Sequence, residues 1–264
     1  MVRAASAASS LPTRIQSIER AAAILRLLSG RNRRLGVVQL AGELGLPKGT
    51  VHGILQTLAA VGFVEQDEET GKYQLGAALL HMGSSYLDGN ELRARALNWS
   101  DALAARSGES VRIGTLHEGR VLVVHHVFRP DDSRQALEVG ALQPAHATAM
   151  GKVLLAAYRY VAAELTAEEL ARYTPSTITA PDALESELRA VKERGWAAEV
   201  EELVVGESSL AAPIEDRRGV TVGAIGISGP VERMMENGSC RTDLVSYVRE
   251  TARAVSRDLG AIPW

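Results

Sequence analysis

VVQLAGELGL (37–46), PKGTVHGILQTLAAVGF (47–63) and VEQDEETGKYQL (64–75) follow one another without a gap, and their order decides the N-terminal fold. The first reads as a short helix closed at Gly45. The second reads as a helix opened by Pro47 and closed at Gly62, since proline suits a helix start and glycine a helix end. The third reads as a β-hairpin turning over 67–71, where Asp, Glu, Thr and Gly interrupt the strand pattern. Helix, turn, helix and hairpin predict a winged helix-turn-helix, whose second helix is shaped for the major groove of double-stranded DNA.

In that second helix Val51, Ile54, Leu55 and Leu58 repeat at i, i+3, i+4 and i+7, which turns them to a core. The opposite arc holds Gly49, His52, Gly53, Gln56 and Thr57, with Lys48 and Thr50 in the first turn. Reading bases takes donor and acceptor side chains, and small residues where the backbone passes close. Lys48, Gly49, Thr50, His52, Gly53 and Gln56 are therefore the DNA-binding candidates. A helical glycine costs roughly 1 kcal/mol relative to alanine, and two within one turn point to close approach of a partner. Arg31, Arg33 and Arg34, in the loop before the motif, are candidates for phosphate contacts. The wing carries Glu65, Asp67, Glu68 and Glu69 against Lys72, so its tip is expected to face away from DNA.

Charge supports the same polarity. Residues 1–64 hold eight Lys/Arg against Glu19 and Glu43, so with a chain total of −3 the remainder carries −9. A basic head on an acidic body suits a protein that lays one end on phosphates.

Outward from the motif, IQSIERAAAILRLLSG (15–30) has Ile15, Ile18, Ala22, Leu25 and Leu28 at helical spacing, and residues 1–13 read as a polar tail. Residues 77–106 read as two linker helices broken around Gly83, Gly89 and Asn90. SVRIGTL (110–116) and RVLVVHHVF (120–128) then form a hairpin. Helices are expected at 148–160, 184–193 and 242–259, and strands in WAAEVEE, SLAAPI and TVGAIGIS. The fold class is α+β: a winged helix-turn-helix at 14–76, linker helices at 77–106, and a C-terminal α/β domain at 107–264 with a mixed sheet and flanking helices.

Several chemistries drop out. Cys240 is the one cysteine, so neither an internal disulfide nor a four-cysteine zinc site can form. No apolar run reaches the roughly 18 residues of a membrane helix, and a cytoplasmic setting without a membrane partner is expected. His125 and His126 are strand neighbours and point to opposite faces, which rules out joint ligation. HATAMGKV (146–153) lacks the first glycine and the Ser/Thr of a phosphate loop, and GAIGISG (223–229) has no helix after it. No catalytic residue, metal or cofactor is expected. The helix start at 146–149 is a candidate seat for an anionic group, with Ser208, Ser209 and Ser228 on strands that could cover it.

IERAAAILRLL, LAGELGLPKGTVHGILQTL, YQLG, HATAMGK and GWAAEVEELVVGESSLAAPIEDRRGVTVGAIGISGPVER together resemble the IclR family of bacterial transcription regulators, over nearly the whole chain from Ile15. The resemblance implies a homodimer or homotetramer on operator DNA, with a GAF/PAS-like C-terminal domain holding a small-molecule effector that shifts operator affinity. Carried over residue by residue, the effector-binding positions are Ala149, Met150, Glu199, Ser209, Gly226 and Ser228. Ser209 stands where cysteine is frequent in the family and Gly226 where serine is. On the recognition helix Gly53 replaces a frequent arginine and Gly49 a frequent serine. Within the family, GFVEQD, YLDGNELRARAL and VVHHVFRPDDSRQALEVGA are most similar to members that control glycerol operons. That implies a repressor with glycerol or a glycerol phosphate as effector.

Overall fold

A computed structural model describes residues 15–30, 34–131, 134–167 and 169–261. The chain divides into two units, residues 1–87 and 88–264.

The first unit runs α1 (Gln16–Leu28), α2 (Val37–Leu44), α3 (Lys48–Ala60), β1 (Val64–Gln66), β2 (Tyr73–Leu75) and α4 (Ala77–Asp88). The bend between α2 and α3 hangs on Gly45, whose φ of 63° is left-handed and open to glycine without strain. Beyond it the Leu46 N–H donates to Ala41 O at 3.0 Å, which closes the helix end. Ile24, Leu28, Leu40, Val51, Leu55, Leu58, Val64 and Tyr73 form one buried cluster. The hairpin pairs antiparallel, Val64 with Leu75 and Gln66 with Tyr73, and Leu35 bridges to Tyr73 from the other side.

The structure adds to one sequence expectation and shifts another. In α1 the buried positions are Ile24 and Leu28, while Ile15 and Ile18 are more than half exposed. The first turn of α1 extends past the part of the helix that the core covers, so its apolar stripe finds no partner in this unit. Gly83 does not break α4, because it sits mid-helix in open space. The break falls at Gly89 and Asn90, where the Asn90 side chain accepts from the Arg93 N–H at 2.9 Å and opens the next helix.

The second unit contains α5 (Glu91–Ser107), β3 (Ser110–His117), β4 (Arg120–Val127), β5 (Leu142–Pro144), α6 (Ala149–Ala157), α7 (Arg159–Thr166), α8 (Pro181–Arg194), β6 (Ala197–Val200), β7 (Glu207–Glu215) and β8 (Thr221–Pro230). It ends with α9 (Val231–Met234), the two-residue strands β9 (Met235–Glu236) and β10 (Ser239–Cys240), and α10 (Thr242–Asp258). Six strands form one sheet in the order β5-β4-β3-β8-β7-β6. Helix α6, backed by α8, packs on one face, and α5 with α10 packs on the other.

The sheet is not mixed in direction: every described pairing in it is antiparallel. Parallel neighbours require a crossover between adjacent strands. Here the helical crossover α6–α8 joins β5 to β6, the two opposite edges, so it creates no parallel pair. The helix expected at 148–160 divides at Tyr158, whose φ of −109° and ψ of 70° are not helical. The strands β5, β9 and β10 are two or three residues long, too short for a period to register.

Candidate functional site

Two places gather the candidate residues, one in each unit. On α3, Val51, Leu55 and Leu58 are buried while Lys48, Gly49, His52, Gly53 and Gln56 are exposed and Thr50 is half-buried. The arc is therefore free, as the period predicts. Gly49 and Gly53 have no atom near the place a Cβ would occupy. Pro47 offers no side-chain cap, and the first N–H groups bonded inside the helix are those of Thr50 and Val51, to Pro47 O. The Lys48 and Gly49 N–H groups are thus left pointing outward at a helix N-terminus, where an anion is favoured. Thr57 is spent differently: its hydroxyl donates to Gly53 O at 3.0 Å.

Arg34 is tied to the wing. Its Nη1 lies 3.0 Å from Asp67 Oδ2, and its Nε donates to Gln74 Oε1 at 3.0 Å. Asp67 also accepts the Glu69 and Thr70 N–H groups, so it organises the hairpin turn, and these bonds with Arg34 hold its carboxyl below the usual range. Glu65 Oε1 accepts the Ala77 N–H and starts α4. Two of the wing acids are structural for that reason. Arg31 and Arg33 lie outside the described residues.

In the second unit, Ala149, Met150, Glu199, Ser209, Gly226 and Ser228 all line one cavity of about 320 Å³. Strand register explains why residues so far apart in sequence meet. Glu199 pairs with Ser209, Ser209 with Ser228, and Ser228 with Ser110, giving a polar rung across four strands. The neighbouring rung on the same face is Ala197, Ala211, Gly226, Arg112 and His126. Its small members let α6 come close, and the first turn of α6 brings Ala149 and Met150 over the polar rung. Thr148 caps that turn by accepting the Gly151 N–H at 3.2 Å. The Ala149 N–H donates to Ser209 Oγ at 3.4 Å, and the Ser209 hydroxyl donates to Glu199 Oε1 at 3.3 Å. The helix start is thus already connected to a carboxylate through a serine.

Glu199 is buried, and the loss of water raises its carboxyl to about 7, with the Glu202 carboxylate adding to the rise. Hydrogen bonds from the Glu202 N–H (3.0 Å) and Ser209, and the charge of Lys152, act the other way. Behind this wall Lys152 Nζ is fully enclosed, bonded to Glu202 Oε1 and to Ala198 O at 3.1 Å.

The sequence reading missed the opposite wall. Arg112 bonds Ser228 Oγ and meets Glu138 Oε1 at 2.6 Å, and Glu138 Oε2 accepts Gln143 Nε2 at 2.8 Å. The Glu138 N–H donates to His126 Nδ1 at 3.2 Å, so Nε2 carries the proton and donates to Ser110 Oγ at 2.8 Å. Burial, with Arg112 nearby, lowers His126 to about 4 and keeps it neutral. Arg129 also lines the cavity and meets Asp131 at 3.0 Å. His125 turns to the other face, half-buried and within the field of Arg93 and Asp101 of α5. A usable signal existed: Arg112 alternates with buried Val111 and Ile113, which places a cation on the sheet face opposite theirs.

Residues 17–68 match the family model described as "IclR helix-turn-helix domain", and residues 84–257 match "Bacterial transcriptional regulator IclR C-terminal". The chain belongs to the IclR family. IclR relatives include the glycerol operon regulatory protein of Streptomyces coelicolor, 58% identical over 94% of this chain and 97% of that one. The protein of the same name from Streptomyces griseus is 56% identical over the same shares. Among solved IclR structures, a transcriptional regulator from Alicyclobacillus acidocaldarius superposes with a TM-score of 0.76 at 27% identity, covering 92% of this chain and 98% of that one. The winged-helix unit and the α+β unit found here are those of a DNA-binding IclR transcription regulator, and no helix among the described residues is long and apolar enough to cross a membrane.

Proposed function

We propose that this IclR regulator represses a glycerol-use operon and that an uncharged polyol, glycerol in the simplest case, is the effector seated in the cavity of the second unit. The likeness to the two Streptomyces regulators carries the operon assignment. The charge balance of the cavity carries the choice between glycerol and its phosphate. Its cations, Arg112 and Arg129, already face Glu138 and Asp131, and Glu199 and Glu207 add further carboxyls to the lining. A phosphate dianion would meet no unpaired cation and several acids. A polyol meets hydroxyl and carboxyl partners on the rung of Ser110, Ser228, Ser209 and Glu199.

On the DNA side, Lys48, Gly49, Thr50, His52, Gly53 and Gln56 present α3 to the bases, and two copies of the chain place two such helices on successive half-sites. An effector that favours one arrangement of the dimer changes operator affinity through linkage, by about 5- to 150-fold for a coupling of ~1–3 kcal/mol. An operator-shift assay tests both halves. Lys48→Glu with Gln56→Glu should weaken operator binding by ~100-fold, the order expected for two lost contacts of 1–3 kcal/mol each. Glycerol should change wild-type affinity more than glycerol phosphate does. Unaltered affinity in the double variant removes the DNA half, and a response to glycerol phosphate alone removes the uncharged-ligand half.

A further inference from the structure

Where β7 runs on past the end of β6, at the sheet edge and away from the effector cavity, lies a second groove, of about 410 Å³, bounded by the end of α8, strand β7 and helix α10. Its floor is small and apolar, with Ala212, Pro213 and Ala252. Its rim is not. Arg249, Arg253 and Arg257 follow one another at intervals of four along α10, and Lys192 faces them from α8. Arg253, Arg257 and Lys192 are exposed and Arg249 is half-buried.

These four cations have no ion-pair partner among the described residues. The unit they belong to carries 26 Asp/Glu against 20 Lys/Arg in residues 88–264, and what sets these four apart from other cations without an ion pair, such as Arg189 and Arg217, is that they line one groove. Several arginines elsewhere in it do find acids: Arg106 holds Glu250, Arg112 Glu138, Arg218 Asp216, Arg233 Glu109 and Arg241 Asp243, each within 3.0 Å. Even Arg194, on the same rim, is held by Glu187 at 2.7 Å. Glu193 and Glu215 are the carboxylates in the groove lining, and neither pairs with the row. Like charges four apart on a helix repel, so the row is a standing cost unless an anion lies along it.

We propose that this groove is a second ligand site, taking a linear polyanion with two or more phosphoryl groups. Guanidinium forks bind phosphate oxygens in pairs, which selects phosphate over a lone carboxylate. With a rise of 1.5 Å per residue, successive arginines are rooted about 6 Å apart and the row extends for about 12 Å. A single phosphate can engage one or two of them, whereas a chain of phosphoryl groups reaches the whole row and Lys192. The site is separate from the effector cavity, so the polyanion and the polyol can be bound together.

Calorimetric titration of the full-length protein with inorganic tripolyphosphate and with inorganic phosphate, at ~150 mM salt so that diffuse attraction is screened, tests the proposal. Saturable binding of one tripolyphosphate per chain is expected, with inorganic phosphate at least ~10-fold weaker, a difference of about 1.4 kcal/mol. Arg253→Ala with Arg257→Ala should weaken tripolyphosphate by ~10-fold or more at unchanged melting temperature, and Lys192→Ala by a smaller factor. Arg112→Ala, in the other cavity, should leave it alone. The proposal is overturned if wild-type protein shows no saturable binding, or if the double arginine variant binds as wild type does. It is equally overturned if Lys48→Glu, in the basic N-terminal unit, abolishes the binding instead.

Discussion

Helix α3 and the cavity wall of the second unit are both rich in polar side chains, yet they are prepared in opposite ways. On α3 the candidates other than half-buried Thr50 stand in solvent with their donors uncommitted, and two glycines leave bare backbone. In the cavity most polar side chains already have a partner, although Arg112 Nε and Arg129 Nε make no hydrogen bond: His126 is fixed in one tautomer, Arg112 is held by Glu138, and Glu199 is bonded through Ser209 to the start of α6. The reason is the solvent each will meet. An exposed surface can wait for DNA because water satisfies it meanwhile. A buried group without a partner costs about 1–3 kcal/mol, so most of a cavity's polar groups must be satisfied before its ligand arrives.

The sharpest way to break this contrast is to orphan one buried partner. Lys152→Met strands the Glu202 carboxyl in a site from which water is excluded, and the second unit should lose about 3–5 kcal/mol in urea unfolding. Adding Glu202→Leu should restore most of the loss, since removing both charges leaves nothing unpaired. If the single variant is as stable as wild type, the wall is not preorganised.

A smaller effect comes from Glu199. Its carboxyl is raised from 4.5 to about 7, so the folded chain holds its proton where the unfolded chain has lost it. Stability should therefore fall as pH rises from 4.5 through 7. His126, lowered from 6.5 to about 4, works in the opposite sense between those values. Melting temperatures of wild type and Glu199→Gln over that range separate the two: the downward component should shrink in the variant, leaving the part due to Glu109 and Glu202, whose carboxyls burial also raises, and identical curves would refute the assignment.

Smallest is Gly53→Ala. An added Cβ meets open space, so α3 should gain ~0.5–1 kcal/mol from its better helix former. Operator affinity should fall all the same, because the bare backbone is there for the partner and not for the fold. A variant that melts higher and binds equally well would make the glycine incidental.

The two regions also differ in how far the amino-acid sequence revealed them. For α3 the argument is local: Val51, Leu55 and Leu58 define the inner face, and everything else follows from a period of 3.6. For α1 helical spacing alone did not say which positions are covered: Ile15 and Ile18 share the spacing of Leu28 but lie beyond the reach of α2 and α3. Family likeness supplied the six cavity positions that the structure brings together, and it omitted Arg112, Glu138 and His126. Arg112 and Glu138 are 26 residues apart, and Glu138 sits in a stretch without regular structure. No pattern within a strand can report a pairing that only the folded sheet creates. Strand β5 was invisible for a plainer reason: three residues do not make an alternation.

That brevity has a consequence of its own. The two outermost strands of the large sheet, β5 at three residues and β6 at four, are shorter than any strand between them, and β5 ends in Pro144, which has no N–H to offer. A long bare margin invites strangers to zip on and seeds fibres, whereas this one presents almost no template. Copies of the chain can crowd around a promoter without sticking sheet to sheet.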